Sequence, residues 1–195
     1  MQKETEVKFE FDPESHIYKV GGIVIPSVTG VLVAEGFISS YGASESDRIR
    51  GRYVHRICEL SDLNDLDMDS VDPALMPRLT AWNNAKKALG IKSFDAIEYK
   101  MYSKKWLYAG TLDRVKLDLL LDIKSGGKQA GFSLQTGGYK VLWEERIGEK
   151  IKKRASVYLT EDGKFSVEWH KDKDDDFMFL CALKSYKWKK EKGIR

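Results

Sequence analysis

The sequence contains few cysteine residues. There are two among 195 residues, Cys58 and Cys181, and they lie far apart in the chain. Two cysteines exclude a disulfide framework, a four-cysteine zinc site and an all-cysteine iron–sulfur cluster. Both lie in helical patterns of apolar residues, and we therefore predict that both are buried free thiols.

Long hydrophobic runs and a strong excess of one charge are also missing. No stretch approaches the length of a membrane-spanning helix, and the opening residues MQKETE have no apolar signal core. We therefore expect a cytoplasmic protein with no membrane partner. The net charge of +3 is only weak evidence for a polyanionic partner, whereas the hydrophobic fraction of 42% is enough for one sizeable core.

Hydrophobic periodicity predicts an α/β protein that forms one domain overall. The first part, 1–35, is expected to be a β-hairpin and a short helix packed on the core, and 36–195 is expected to form that core. The predicted helices cover 28–35, 45–61, 73–90, 128–147 and 174–190, and the predicted strands cover 6–11, 16–25, 93–102, 106–115, 119–124, 152–159 and 164–170. This order predicts a mixed β-sheet flanked by helices, with an N-terminal β-hairpin extension.

The stretch 109–126, AGTLDRVKLDLLLDIKSG, combines a buried strand pattern with charged residues. Asp122 and Lys124 are two apart, so their side chains leave the same face of a strand. Asp113 lies on the preceding strand and can face Asp122 if the two strands pair as a hairpin. Two close carboxylates repel each other unless a cation lies between them, and hard oxygen ligands suit Mg²⁺ or Mn²⁺.

The turn of that hairpin, 116–118, is unusual because it has no glycine or asparagine to supply a positive φ. The hairpin must therefore be tight, or the first strand must end early. The acidic stretch 62–72 has neither the glycine nor the closing glutamate of a calcium loop, and we predict an exposed linker.

The helix predicted over 45–61 has two distinct faces. An apolar stripe should face the core, and it consists of Ile49, Tyr53, Val54, Ile57, Cys58 and Leu60. A second face contains Arg48, Gly51, Arg52, His55 and Glu59. That face is either a solvated polar surface, or it supplies two guanidinium groups for phosphate and an imidazole for a metal. Spacing alone leaves these two interpretations open.

Three further positions have less specific signals. Glu98, on the strand 93–102, is a candidate to hold a second metal or to position water. Gly137 and Gly138 cost a helix about 2 kcal/mol together, which indicates a close approach to a sheet or a ligand. His16 is expected to be exposed or locally bonded rather than a ligand.

The residues in this order suit hydrolysis of a phosphodiester. Asp113 and Asp122 can hold one or two Mg²⁺ ions, and His55 and the backbone carbonyl of Ile123 can complete the site. Lys124 would orient or deprotonate the attacking water, while the metal lowers the pKa of that water.

Two of these patterns resemble motifs of a known nuclease superfamily. Asp113 with Asp122-Ile-Lys124 resembles the PD-(D/E)xK motif. Gly51-Arg-Tyr-Val-His55 resembles the Gly-x-x-x-His motif of the RecB-like branch of that superfamily.

Two other patterns extend the resemblance, which covers roughly 16–140. The segment Gln135-Thr-Gly-Gly-Tyr139 resembles the Gln-x-x-x-Tyr motif of the RecB-like branch. His16-x-Tyr18 and the later Pro26-Ser27-Val28-Thr29 resemble the opening of phage-type and mitochondrial genome maintenance exonucleases. The four patterns occur in the expected order, and each lies on the expected element.

The resemblance implies a restriction-endonuclease-like core and assigns roles within it. His55, Asp113 and Asp122 would be metal ligands, and Lys124 would be the catalytic lysine. Gln135 and Tyr139 would line the DNA channel. We add Glu98 to the catalytic set, and Arg48 and Arg52 to the DNA contacts.

The implied function is that of a Mg²⁺-dependent DNA exonuclease, with Mn²⁺ as a substitute, acting in phage or repair recombination or replication. The alternatives are a structure-specific flap or branch endonuclease and a non-catalytic DNA-binding subunit with a nuclease fold. The iron–sulfur cluster of some relatives is not expected. The implied partners are single-stranded DNA or duplex ends, and a recombination or single-strand-binding protein. A phage-encoded protein of this kind would act in the host cytoplasm.

Overall fold

Two β-sheets form the framework of the computed structural model, which describes residues 7–39 and 44–194. The N-terminal sheet is antiparallel, and its strands are β1 (Phe9–Asp12), β2 (Ile17–Val20) and β3 (Ile23–Ile25). The second sheet has five strands in chain order: β4 (Ala96–Tyr102), β5 (Ala109–Lys116), β6 (Leu119–Lys124), β7 (Lys153–Leu159) and β8 (Phe165–His170). Its β6 and β7 are parallel, and its other neighbours are antiparallel.

Helices cover both faces of the five-stranded sheet. They are α1 (Val28–Ala34), α2 (Glu45–Asp62), α3 (Met76–Ala88), α4 (Gly131–Ile147) and α5 (Asp175–Glu191), with a short 3₁₀ turn at Met68–Ser70. One apolar core joins the sheet to α1, α4 and α5, and a second joins it to α2 and α3. The predicted mixed sheet, flanking helices and N-terminal β-hairpin extension are confirmed, with β3 as a third strand of the extension. No helix in the described ranges is long and apolar enough to cross a bilayer.

The N-terminal sheet is attached to the five-stranded sheet by hydrogen bonds. Ala109 donates its backbone N–H to the carbonyl of Pro26 at 2.9 Å. The hydroxyl groups of Tyr18 and Thr111 lie 2.7 Å apart. The side chains of Tyr18, Ile25, Tyr102 and Ala109 form a small apolar cluster between the two sheets.

Helix α4 contacts another helix at its paired glycines. A Cβ at Gly137 would lie 2.8 Å from the backbone of Asp175, and one at Gly138 would lie 3.0 Å from the ring of Phe179. Helix α5 therefore packs directly on the backbone of α4 at this point. The predicted close approach exists, and its partner is a helix rather than a sheet or a ligand.

Several predicted positions are wrong. Ile49 and Tyr53 are 38% and 58% exposed, because burial on α2 begins at Val54, where the helix packs against α3. Cys58 is buried as predicted, but Cys181 is exposed, because it lies on the outer face of α5. The strand predicted from 106 begins at Ala109. Residue 6 of the first predicted strand lies outside the described ranges.

The acidic stretch is only partly an exposed linker. Helix α2 continues to Asp62, whose side chain is 1% exposed and pairs with Arg114 and Lys86. The other aspartates of the stretch are exposed as predicted, and they are Asp65, Asp67, Asp69 and Asp72. The sequence did not predict the burial of Asp62, because its basic partners lie on α3 and β5, far away in the sequence.

The hairpin between β5 and β6 is tight. Lys116 pairs with Leu119, and Leu117 adopts a left-handed conformation with φ of +53°. Asp95 holds this turn, because its carboxylate accepts from the backbone N–H of Leu117 at 2.6 Å and from the Lys116 ammonium at 2.8 Å. These hydrogen bonds compensate for the missing glycine.

We expect Leu117→Gly to stabilise the protein by about 1 kcal/mol, because glycine adopts a positive φ without steric cost. Leu117 is 71% exposed, so little buried apolar area is lost. The measurement is the midpoint of denaturant unfolding, with Leu63→Gly, another exposed leucine at ordinary φ, as the destabilised control. A lower midpoint for Leu117→Gly would contradict the assigned strain.

Candidate functional site

The hydrogen-bonded ladder between β5 and β6 ends one residue short of the two aspartates. The last pair is Arg114 with Leu121, so Asp113 and Asp122 come directly after the point where pairing stops. There the carboxylate of Asp113 accepts from the backbone N–H of Ile123 at 2.6 Å. The side chain thus takes the place of a main-chain partner, and it is held rigidly in a buried position.

Three potential ligand groups meet beside this opening. The Nδ1 atom of His55 on α2 lies 3.4 Å from a carboxylate oxygen of Glu98 and 3.6 Å from one of Asp113. One ligand atom from each of these residues lies within 4.8 Å of the other two. Glu98 reaches this position from β4 with φ of +45°, an uncommon backbone conformation for a non-glycine residue.

The charges of this cluster perturb one another. Burial alone would lower the pKa of His55, but the carboxylates of Asp113 and Glu98 outweigh it and raise that pKa to about 9. Burial also raises the pKa of the Asp113 carboxyl, although His55 counteracts the shift. Near neutral pH the imidazolium of His55 therefore balances the neighbouring carboxylates, which is a position that a bound cation could take over.

Lys124 lies on the other side of the opening. Its ammonium is 2.7 Å from a carboxylate oxygen of Asp122 and 2.8 Å from the side-chain oxygen of Gln135. It also lies 4.1 Å from the centre of the Phe132 ring. Burial raises the pKa of Asp122, and the positive charge of Lys124 opposes that rise. The Asp122 oxygen that contacts Lys124 lies 3.5 Å from the hydroxyl of Ser156.

Hydrogen bonds define which way the side-chain amide of Gln135 points. Its oxygen faces Lys124, which can only donate, so its nitrogen must point away. That nitrogen donates to the hydroxyl of Thr29 and to that of Tyr139, each at 3.0 Å. Thr29, on α1 of the N-terminal segment, is therefore linked to Lys124 through one amide.

These groups line one cavity of about 430 Å³. Its walls come from the N-terminal sheet, α1, α2, α4 and the strands β4 to β6. The predicted site residues that line it are Arg52, His55, Glu98, Asp113, Asp122, Lys124, Gln135 and Tyr139. Gly51 also lines the cavity. A Cβ added at Gly51 would lie at an ordinary contact distance of 3.6 Å from the Ser125 side chain, so it would occupy cavity space without a clash.

Two predicted site residues, Arg48 and Ile123, are not among the residues that line the cavity. Arg48 is not among the lining residues, and its guanidinium lies 3.7 Å from the carboxylate of Glu45. Ile123 has a buried side chain in the core shared with α2 and α3, and its backbone N–H is bonded to Asp113.

Other residues at the cavity were not predicted from the sequence. His16 is exposed, as predicted, and packs edge-on against Phe11 and Tyr18, but it also lines the cavity. Thr29 stands out in the sequence only as the last residue of the Pro26-Ser27-Val28-Thr29 pattern, which predicts no contact with Gln135. Phe132, a core residue whose ring lies beside the Lys124 ammonium, was not predicted either, because an aromatic residue at a helix start is usual in a core.

No protein-family model and no curated protein matches this sequence. Among solved structures, the chain is similar to the crystal structure of a phage-related exonuclease from Haemophilus somnus 129PT. The identity is 12%, the TM-score is 0.45, and the match covers 83% of this chain and 92% of that one.

Proposed function

We propose that this protein is a Mg²⁺-dependent deoxyribonuclease with a restriction-endonuclease-like core, of the RecB-like branch of the PD-(D/E)xK superfamily, and that it acts as an exonuclease. The supporting observation is that the cluster of His55, Glu98 and Asp113 shares one cavity with the pair of Asp122 and Lys124. A lysine beside adjacent acidic groups in a cavity suits attack on a phosphodiester.

The donor set fits a hard divalent cation. One imidazole nitrogen and two carboxylates would hold it, with Asp122 and the carbonyl of Ile123 as further ligands. The carboxylate and carbonyl oxygens suit both Mg²⁺ and Mn²⁺. When bound, such a cation lowers the pKa of water and shields charge on the phosphate. Asp113 and Glu98 raise the pKa of His55 to about 9, so without a metal its imidazolium carries the positive charge that a bound cation would supply.

Among the residues that the structure describes, two groups accept hydrogen bonds from the Lys124 ammonium. An ammonium has three N–H groups, and Asp122 and Gln135 accept two of them. The third can donate to a phosphate oxygen or to the attacking water, and in either case it orients that group and offsets developing negative charge. Gln135 and Tyr139 form the buried wall behind Lys124, and Arg52 at the rim would contact the DNA backbone, with Arg48 farther out.

The proposed substrate is single-stranded DNA or a duplex end, in phage or repair recombination or replication in the cytoplasm. A recombination or single-strand-binding protein would be a partner.

A single gel experiment tests this proposal. Linear DNA labelled at the 5′ or the 3′ end and closed circular DNA are incubated with the protein and Mg²⁺, Mn²⁺ or EDTA. We expect metal-dependent release of nucleotides from linear DNA and intact circles. Cleavage of the closed circles would show that the protein is an endonuclease rather than an exonuclease. A protein that shifts the DNA on the gel but cleaves neither substrate would favour the non-catalytic subunit.

Thr29 provides a test of the role of Gln135. We expect Thr29→Val to lower kcat about tenfold, because the Gln135 amide loses one of the acceptors that define its orientation, and small misplacements of catalytic groups are costly. Thr29→Ser retains the hydroxyl and should retain kcat. Equal rates for the two variants, measured with saturating DNA, would argue against this positioning.

Metal affinity should depend on pH through His55. Its pKa is raised from 6.5 to about 9, so the proton stabilises the metal-free fold fully below pH 6.5, and this contribution is lost as the pH rises through 9. Because Mg²⁺ must displace that proton, its affinity should rise about tenfold per pH unit in this window. Calorimetric titration at several pH values measures the slope, and His55→Gln should flatten it.

A further inference from the structure

A buried arginine lies behind the cavity and has no part in the chemistry described so far. The side chain of Arg114 is fully buried. Its Nη1 donates to Glu98 at 3.0 Å and to the backbone carbonyl of Asp113 at 2.7 Å. Its Nε donates to the carboxylate of Asp62 at 2.6 Å. One guanidinium therefore contacts two of the three residues in the candidate metal cluster.

The carboxylate of Asp62 fixes this guanidinium. Its side chain is 1% exposed, and it also accepts from the indole N–H of Trp82 at 3.0 Å and from the ammonium of Lys86 at 2.5 Å. The guanidinium carbon of Arg114 lies 5.6 Å from the centre of the Trp82 ring. Asp62 thus has three donors from two other elements, and Arg114 has little freedom to move.

The contacts form a chain that starts and ends on α2. His55 and Asp62 are seven residues apart, which is two helical turns, so they lie on the same face of α2. His55 contacts Glu98, Glu98 accepts from Arg114, and Arg114 donates to Asp62. The position of the three candidate ligands and the packing of α2 on the sheet therefore depend on the same set of ion pairs.

Stability alone does not explain this arrangement. Burying charges is costly, and well-packed apolar residues in the same space often stabilise a protein as well or better. Glu98 lies on β4, at the edge of the sheet, with an uncommon positive φ, and such a conformation persists only where the surroundings determine it. Arg114 is the neighbour that holds its carboxylate.

We propose that Arg114 and Asp62 are positioning residues for the metal site: they hold the Glu98 carboxylate against His55 and Asp113 and thereby set the affinity for the divalent cation. This inference rests on the proposed function, because it takes the three clustered residues as metal ligands. Mutating the hydrogen-bond partners of metal ligands typically changes the metal affinity 10- to 100-fold.

The test is calorimetric titration of Mn²⁺ without DNA, together with thermal unfolding in EDTA. Arg114→Lys retains the charge but cannot contact Asp62, Glu98 and the Asp113 carbonyl together. We expect it to weaken Mn²⁺ binding at least about tenfold, and excess Mn²⁺ should restore kcat. Lys87→Met is the control, because Lys87 is exposed on α3 and is not among the residues that line the cavity, and its Mn²⁺ affinity should equal that of wild type.

The outcomes separate the inference from the proposed function. If Arg114→Lys unfolds at a lower temperature but binds Mn²⁺ like wild type well below that temperature, Arg114 is purely structural and the inference is wrong. If Arg114→Lys does not fold, Asp62→Asn, which keeps the shape of the side chain but removes its charge, decides the question by the same titration. If wild type binds neither Mn²⁺ nor Mg²⁺, the proposed metal site itself fails.

Discussion

Replacing Lys124 by methionine is expected to lower the rate of DNA hydrolysis by about 10³-fold, within the range for loss of a proton-transfer or charge-stabilising group. Methionine retains the packing of the side chain near Phe132 but has no N–H for the phosphate or the water. The substitution also removes the positive charge beside Asp122, so the pKa of that buried carboxyl should rise further.

The measurement is single-turnover cleavage of end-labelled DNA with saturating Mg²⁺. Lys128→Met is the matched control, because Lys128 is exposed and is not among the residues that line the cavity. Its rate should match that of wild type. A Lys124→Met protein that folds and cleaves DNA at more than about a tenth of the wild-type rate, far above the loss expected for a catalytic group, would remove Lys124 from the mechanism.

Asp113→Asn is expected to abolish cleavage and to weaken Mg²⁺ binding at least about 100-fold, more than the loss of an outer partner costs. The asparagine side-chain oxygen can still accept from the N–H of Ile123, so the opening between β5 and β6 should keep its shape. The pKa of His55 should fall, because Asp113 is the strongest of the charges that raise it.

Thermal unfolding provides a readout that does not need DNA. A ligand at 100 times its Kd stabilises a protein by about 2.7 kcal/mol, so Mg²⁺ should raise the wild-type Tm and EDTA should reverse the rise. Asp113→Asn should show no such shift. Asp118→Asn, in the turn after Lys116 and Leu117 and not among the residues that line the cavity, should respond like wild type. An equal Mg²⁺ shift in Asp113→Asn would place the metal elsewhere.

Much of the fold follows from local patterns in the sequence. The helices and strands follow from apolar spacing, and β6 is recognisable as a short branched run ending at Ser125-Gly126-Gly127. The shared face of Asp122 and Lys124 follows from strand alternation, which depends only on backbone geometry. The left-handed conformation of Leu117 in the tight turn could not be predicted, because the hydrogen bond that holds it comes from Asp95, 22 positions earlier in the chain.

The sequence by itself determined the α/β class and the order of the elements, because propensity and periodicity act over a few neighbouring residues. Its motifs also named Asp113, Asp122 and Lys124 as candidate residues, and the resemblance to a known superfamily added His55. Only the tertiary structure decided which groups meet. It moved Asp62 from a predicted linker into a buried ion pair, it joined Thr29 to Lys124 through Gln135, and it placed Glu98 beside His55. These contacts bridge 43 or more positions in all but one case, and their energies depend on burial, which no local pattern records.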